Sequence, residues 1–130
     1  RIDQAHGDRQ AARRSLVDHY LTTAHRDAAG NGCAASALAG DVAREASGKP
    51  VHAAYTQGLK TLIDIWKSTA TAPDHDADAD DAAQSAALAE VAMLVGAITM
   101  ARATRDDALS SEILNAARAR LLAAPETASA

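Results

Sequence analysis

From Ala82 to Thr104 the chain has no proline and only one glycine, and its apolar residues fall on two sides of a helix. Leu88, Val91, Leu94, Val95 and Ile98 recur at helical spacing on one side, while Ala89, Met93, Gly96 and Met100 form a second strip roughly opposite. Two apolar faces need two partners. The side of Val91, Val95 and Ile98 is expected to face the chain's own core, and the side of Gly96 a second molecule, because glycine amid alanines lets another backbone come close. The following helix, Asp107 to Leu122, adds Leu109, Ile113, Leu114, Ala117 and Leu121. Together with Ala89, Ala92 and Gly96, these five residues make the expected dimer interface.

Shorter amphipathic stretches precede this pair. Arg1 to His6 reads as the end of a helix terminated by Gly7 and Asp8, with Asp8 capping the next. That next helix, about Asp8 to Ala24, turns Ala12, Leu16, Val17, Tyr20 and Leu21 inward and Arg9, Arg13, Arg14 and Asp18 outward. His25 to Gly32 is a glycine-bearing turn. Cys33 to about Glu45 forms a short helix of small residues with Ala34, Ala37, Leu38, Ala39 and Val42 apolar. Ser47 to Pro50 stops it, and Pro50 suits the first turn of a helix from Lys49 to Ser68 that carries Val51, Tyr55, Leu59, Leu62, Ile65 and Trp66 on one side. Thr71 to Asp81 reads as a linker, with Asp78, Asp80 and Asp81 at the positive end of the long helix. Asp106 or Asp107 caps the last helix. The expected domain spans residues 8–124, between a helix remnant at 1–7 and a tail at 125–130.

Composition narrows the class. With no phenylalanine, one Trp and two Tyr, the core must be Leu, Ile, Val and much Ala, and alanine is the strongest helix former. β-Branched runs are missing, so the pattern predicts an all-α antiparallel bundle of about five helices. A formal charge of -4 argues against this chain neutralising DNA phosphates by itself. Cys33 is the single cysteine, which excludes an internal disulfide and points to a reducing, cytoplasmic setting. No signal peptide or apolar run of spanning length is read, and no membrane partner is expected. Beginning at Arg1 without an initiator Met, the chain reads as a piece of something longer, cut upstream.

The run Tyr20-Leu21-Thr22-Thr23-Ala24-His25-Arg26-Asp27 is followed by Gly30, Gly32-Cys33, Ala37-Leu38 and Asp41-Val42-Ala43. Further on come Leu94-Val95-Gly96-Ala97, Ala101-Arg102-Ala103, Asp106-Asp107 and Leu109-Ser110-x-Glu112-Ile113-Leu114. In this order and spacing they resemble the ligand-binding domain of bacterial TetR-type transcriptional repressors over nearly all of residues 8 to 122. Ala29 and Ala34 stand where that pattern carries prolines, and Ala35 where it carries a larger apolar residue. The resemblance implies a homodimer formed by the last two helices as a four-helix bundle. It also implies a small-molecule effector, and operator DNA read only through an N-terminal helix-turn-helix domain not present in this chain.

An effector pocket is expected among the first helix, the Cys33 helix, the Trp66 helix and the inner face of the long helix. Tyr20, Tyr55, Trp66, Met93 and Met100 would line it, with Leu16, Leu38, Leu59 and Leu62 as an apolar wall; the competing reading is that all of these simply fill the core. The five histidines, His6, His19, His25, His52 and His75, form no helical metal pair, and no metal or cofactor is expected. His25 reads as a hydrogen-bonding residue at the turn. His25-Arg26-Asp27 matches three letters of the kinase catalytic loop, but the other kinase motifs are missing. Asp74 to Asp80 mimics the start of a calcium loop without its glycine and closing Glu, and reads as a solvated linker. Cys33, at a helix N-terminus, is either a thiol sensor or a small residue closing the turn. No nucleophile elbow, phosphate loop or paired carboxylates stand out, so no enzyme activity is expected. The alternative to effector binding is a dimerisation domain of the same fold controlled by a protein partner or by thiol oxidation.

Overall fold

The computed structural model describes residues 2–28, 30, 33–70 and 77–123, with side chains from residue 7 onward. Among the described residues there are six helices and no strand: α1 (Ile2–Tyr20), α2 (Thr23–Asp27), α3 (Ala34–Arg44), α4 (Pro50–Lys67), α5 (Ala77–Ala103) and α6 (Ala108–Leu122). The fold is all-α. The tail 125–130, the Asp74-His75-Asp76 part of the calcium-like run and Asn31-Gly32 of the turn lie outside the described residues.

Each of the other five helices packs on α5. Its inner face is Ala87, Val91, Leu94, Ile98 and Ala101, with Ala97 beside them, all at most 4% exposed. That 4-3-4-3 spacing keeps one stripe in line along the helix. Leu88 was expected on this stripe but is 46% exposed, because it sits one residue, or about 100°, off the register that Ala87 holds. Val91 and Ile98 are buried and Val95 half-buried; on the opposite strip Ala89 and Met100 are exposed, while Gly96 and Met93 are half-buried, Met93 packing against the core.

α6 answers α5 with Ser110, Leu114, Ala117 and Leu121, all buried. Three of the residues expected at a dimer interface, Leu114, Ala117 and Leu121, therefore belong to the chain's own core; α6 is apolar enough for one good seam, and α5 takes it. Asp107 starts α6 as its N-cap, with its carboxylate accepting from the Leu109 N–H at 2.8 Å.

The N-terminal half departs from expectation in two places. α1 runs unbroken through Gly7 and Asp8, so the boundary expected between residues 7 and 8 falls inside a helix. A glycine in a helix costs only about 1 kcal/mol, and the side chains described there, from Gly7 to Ser15, include no buried one whose packing would force a break. At its other end α1 stops at Tyr20 rather than Ala24. Thr22 takes extended backbone angles (φ -121°, ψ 156°) and its hydroxyl accepts from the His25 N–H at 3.0 Å, which caps a separate short helix, α2. This insertion raises the expected five helices to six.

α5 begins at Ala77, earlier than the expected Ala82, with Asp78 and Asp80 in its first turn. At 27 residues it is long and apolar enough to cross a bilayer by length and composition, which corrects the reading that no such run exists. Its inner seam is covered by the other helices, and Glu90, midway along, is bonded to Trp66 and Arg13.

Candidate functional site

The sole tryptophan is the centre of the packing at one end. Trp66 on α4 is 1% exposed, and its indole Nε1–H donates to Glu90 Oε2 on α5 at 2.6 Å. The Arg13 guanidinium from α1 lies over the indole, 4.3 Å from the ring centroid, and bonds Glu90 Oε2 and the Thr69 hydroxyl, each at 3.2 Å. Arg13 was expected on the outside of its helix. It is drawn in because a planar cation satisfies an aromatic face and a carboxylate together. α1 is also tied to α6 by an ion pair between Asp18 and Arg118.

A second polar cluster gathers where α1 ends, α3 begins and α5 ends. Arg102 forks across three acceptors: Nε donates to the Arg26 carbonyl at 3.1 Å, Nη2 to the His25 carbonyl at 3.0 Å and Nη1 to the Ser36 hydroxyl at 3.1 Å. Arg26 chelates its neighbour Asp27 and donates to the Ser110 hydroxyl at 3.0 Å, which in turn donates to the Ala101 carbonyl at 2.7 Å. The Arg26 guanidinium holds the Asp27 carboxyl below the usual carboxylate range. His25 bridges the Tyr20 carbonyl and the Cys33 N–H, in line with its reading as a hydrogen-bonding residue of the turn. Nothing in the sequence singled out Arg102 or Ser110 as the fasteners; the signal was only their presence in the motif order.

Tyr20 and Tyr55 both lie near Cys33. The Tyr20 hydroxyl is shielded from solvent with no hydrogen-bond partner of good geometry, beside the Cys33 thiol and Ser36 hydroxyl, and its ring packs edge-on to His25 with centroids 4.6 Å apart. The Tyr55 hydroxyl donates to the Ala35 carbonyl at 2.6 Å. Burial pushes the Tyr20 phenol well above its ordinary range, with Cys33 adding to the effect, and raises Tyr55 in the same way. The neutral phenol is thus the form the fold prefers, so its contribution is complete below about pH 10 and is lost as pH rises beyond that. Tyr20→Phe is expected to change stability at neutral pH by less than about 1 kcal/mol, since the hydroxyl it removes is unpaired. The same variant should lose less stability than wild type as pH rises from about 10 to about 12. Urea unfolding across that range checks this; equal alkaline losses in both proteins would contradict it.

The nine residues expected to line a pocket do not converge. Leu16, Tyr20, Leu59 and Leu62 are half-buried and pack against the core, Trp66 is buried within it, and Tyr55 is half-buried at α3. Leu38 is 46% exposed and Met100, on the outer strip of α5, 53%, so these two leave the set, whereas Met93 is half-buried and packs against the core while also facing a groove. Met93 and Met100 are seven residues apart, two turns along the strip opposite the inner seam. They line an open groove of about 410 Å³ between α5 and α6 together with Ala92, Gly96, Ala97, Ile113, Ala116, Ala117 and Arg120. A Cβ added at Gly96 would meet nothing within 4 Å. Of the residues expected at the dimer interface, Ala92, Gly96, Ile113 and Ala117 line this groove, while Ala89 and Leu109 are exposed outside it. A second open depression is lined by Ala103, Thr104, Asp106, Asp107 and Leu109. No cluster of three His, Cys, Asp or Glu suited to a metal occurs among the described residues.

Comparison with protein-family models, curated proteins and solved structures finds no match to this chain.

Proposed function

We propose that this chain is the sensing and dimerisation half of a TetR-like transcriptional repressor, cytoplasmic and without catalytic chemistry of its own. A homodimer would form across the outer strip of α5 and the adjoining face of α6, and operator DNA would be reached only through a separate helix-turn-helix domain. The observation that carries this reading is the apolar groove of Ala92, Met93, Gly96, Met100 and Ile113, which remains uncovered after α5 and α6 have satisfied each other along their inner seam. Its glycine and alanines permit close approach of a second helix pair. A small, largely apolar effector would act by preferring one arrangement of the dimer.

The filling of the core around Trp66 favours a second reading, a dimerisation domain of the same fold controlled by a protein partner or by oxidation of Cys33. Thermal shift in the presence of a panel of apolar small molecules separates the two, because a ligand that binds only the folded state raises the melting temperature.

Dimerisation is tested first, by light scattering across a dilution series. The expected mass is about twice the chain's 13.4 kDa. Met93→Glu sets a charge in the groove and should weaken association by at least about tenfold with helical content unchanged. A wild-type chain that stays monomeric at every concentration would sink the dimer reading.

A further inference from the structure

One imidazole bridges the end of α1 and the start of α3. His25 Nδ1 lies 2.7 Å from the Tyr20 carbonyl oxygen, and His25 Nε2 lies 3.0 Å from the backbone nitrogen of Cys33, the N-cap of α3. A carbonyl only accepts and a backbone amide only donates. The ring must therefore carry its proton on Nδ1 and leave Nε2 bare, and this neutral tautomer is the single form that satisfies both partners. An imidazolium bears N–H on both nitrogens, so Nε2–H would confront the Cys33 N–H, donor against donor.

The surroundings offer an added proton nothing in return. From α1 comes the neutral Tyr20 ring, and from α5 the Arg102 cation on the His25 and Arg26 carbonyls. On α2 itself Arg26 is already paired with Asp27; Asp106 acts on Arg26 and Arg105 on Asp27. Cys33 at the start of α3 and Tyr55 from α4 complete the titratable groups, and α6 brings the uncharged Ser110. Among the described residues no carboxylate bonds the ring.

We infer that His25 makes the docking of α3 pH-dependent: the neutral ring holds the first turn of α3 against the end of α1, and protonation releases it. The bridge is present while the ring is neutral and is lost when it takes up a second proton at low pH. Release at Cys33 also loosens the next two anchors of α3, the Ala35 carbonyl under Tyr55 and Ser36 under Arg102. The α5 and α6 seam holds no histidine and stays in place. The inference is independent of any effector and of dimerisation.

The test is nuclear magnetic resonance on the whole chain. Ring nitrogen shifts of His25 report its tautomer and charge, and amide exchange, corrected for intrinsic rates, reports protection along α3 and α5. The expected result is the Nδ1–H tautomer at about pH 7.5, then a five- to tenfold fall in protection at Cys33 and the following turn by about pH 5, with α5 unchanged. In His25→Leu, which offers the Cys33 N–H no acceptor, protection at Cys33 should be low at both pH values. Constant protection in the wild-type chain would overturn the inference, whether the ring stays neutral or is protonated without effect. An Nε2–H tautomer, or a pH-dependent fall of the same size in His25→Leu, would overturn it too.

Discussion

Replacing Trp66 with alanine is expected to lower the free energy of unfolding by about 3–5 kcal/mol, the range for deleting a buried aromatic side chain. Domains of this size are stable by roughly 5–15 kcal/mol, so the loss is a large share of the whole. Three effects add. The indole is 1% exposed and its removal leaves a cavity in the centre of the core cluster. Glu90 loses the 2.6 Å hydrogen bond from Nε1, and Arg13 loses the ring over which its guanidinium lies. Trp66→Phe separates them: it keeps most of the packing and the cation's aromatic surface but deletes the N–H, and should cost at least about 1.5 kcal/mol, as expected for a hydrogen bond to a charged group. Because Trp66 is the only tryptophan, these variants must be followed by circular dichroism rather than indole fluorescence. A Trp66→Ala protein within about 1 kcal/mol of wild type would show that α1, α4 and α5 are held together elsewhere.

Arg102→Ala should cost about 2–3 kcal/mol, from a different source. The last carbonyls of a helix have no partner within it, and α2 has only five residues, so most of its carbonyls depend on outside donors. Arg102 supplies two of them at His25 and Arg26, and the same guanidinium reaches Ser36, so one side chain on α5 fastens both α2 and α3. A cation at the negative end of α2 adds a favourable field. Arg102→Lys should recover less than half of the loss, because an ammonium is a point charge without the planar fork. Trp66 fluorescence in urea measures both variants. Equal stability of Arg102→Lys and wild type would mean that charge alone matters there and the fork does not.

The class and order of the elements are legible along the chain because they depend on local chemistry. Alanine-rich stretches with apolar residues at helical spacing make helices whatever surrounds them, Pro50 opens α4 in its first turn, and Asp107 caps α6. The division of α5 into an inner and an outer face is legible for the same reason. Reading fails where two local signals compete. Leu21-Thr22-Thr23 continues an apolar helical pattern, yet the Thr22 hydroxyl captures the His25 N–H and starts a new helix. Conversely, Gly7 is a helix breaker by propensity alone, and the helix runs through it.

Periodicity along one chain yields the angular position of a residue on its helix but does not say which neighbour covers that angle. Leu114, Ala117 and Leu121 suit a partner's helix as well as α5, and packing gave them to α5. Met93 and Met100 suit an inner pocket as well as an outer groove, and the alanines between them lend too little contrast to choose. Arg13 is written as a surface residue, and becomes a half-buried one because Trp66 and Glu90, distant in sequence, present an aromatic face and a carboxylate at the same point. His25, Cys33, Ser36 and Arg102 become one cluster because α5 returns its last turn to the junction of α2 and α3. Residue types, spacings and caps thus suffice for six helices' worth of secondary structure less one short insertion. The side chains that meet are set by long-range packing, where the hydrophobic effect rewards buried area without regard to separation along the chain.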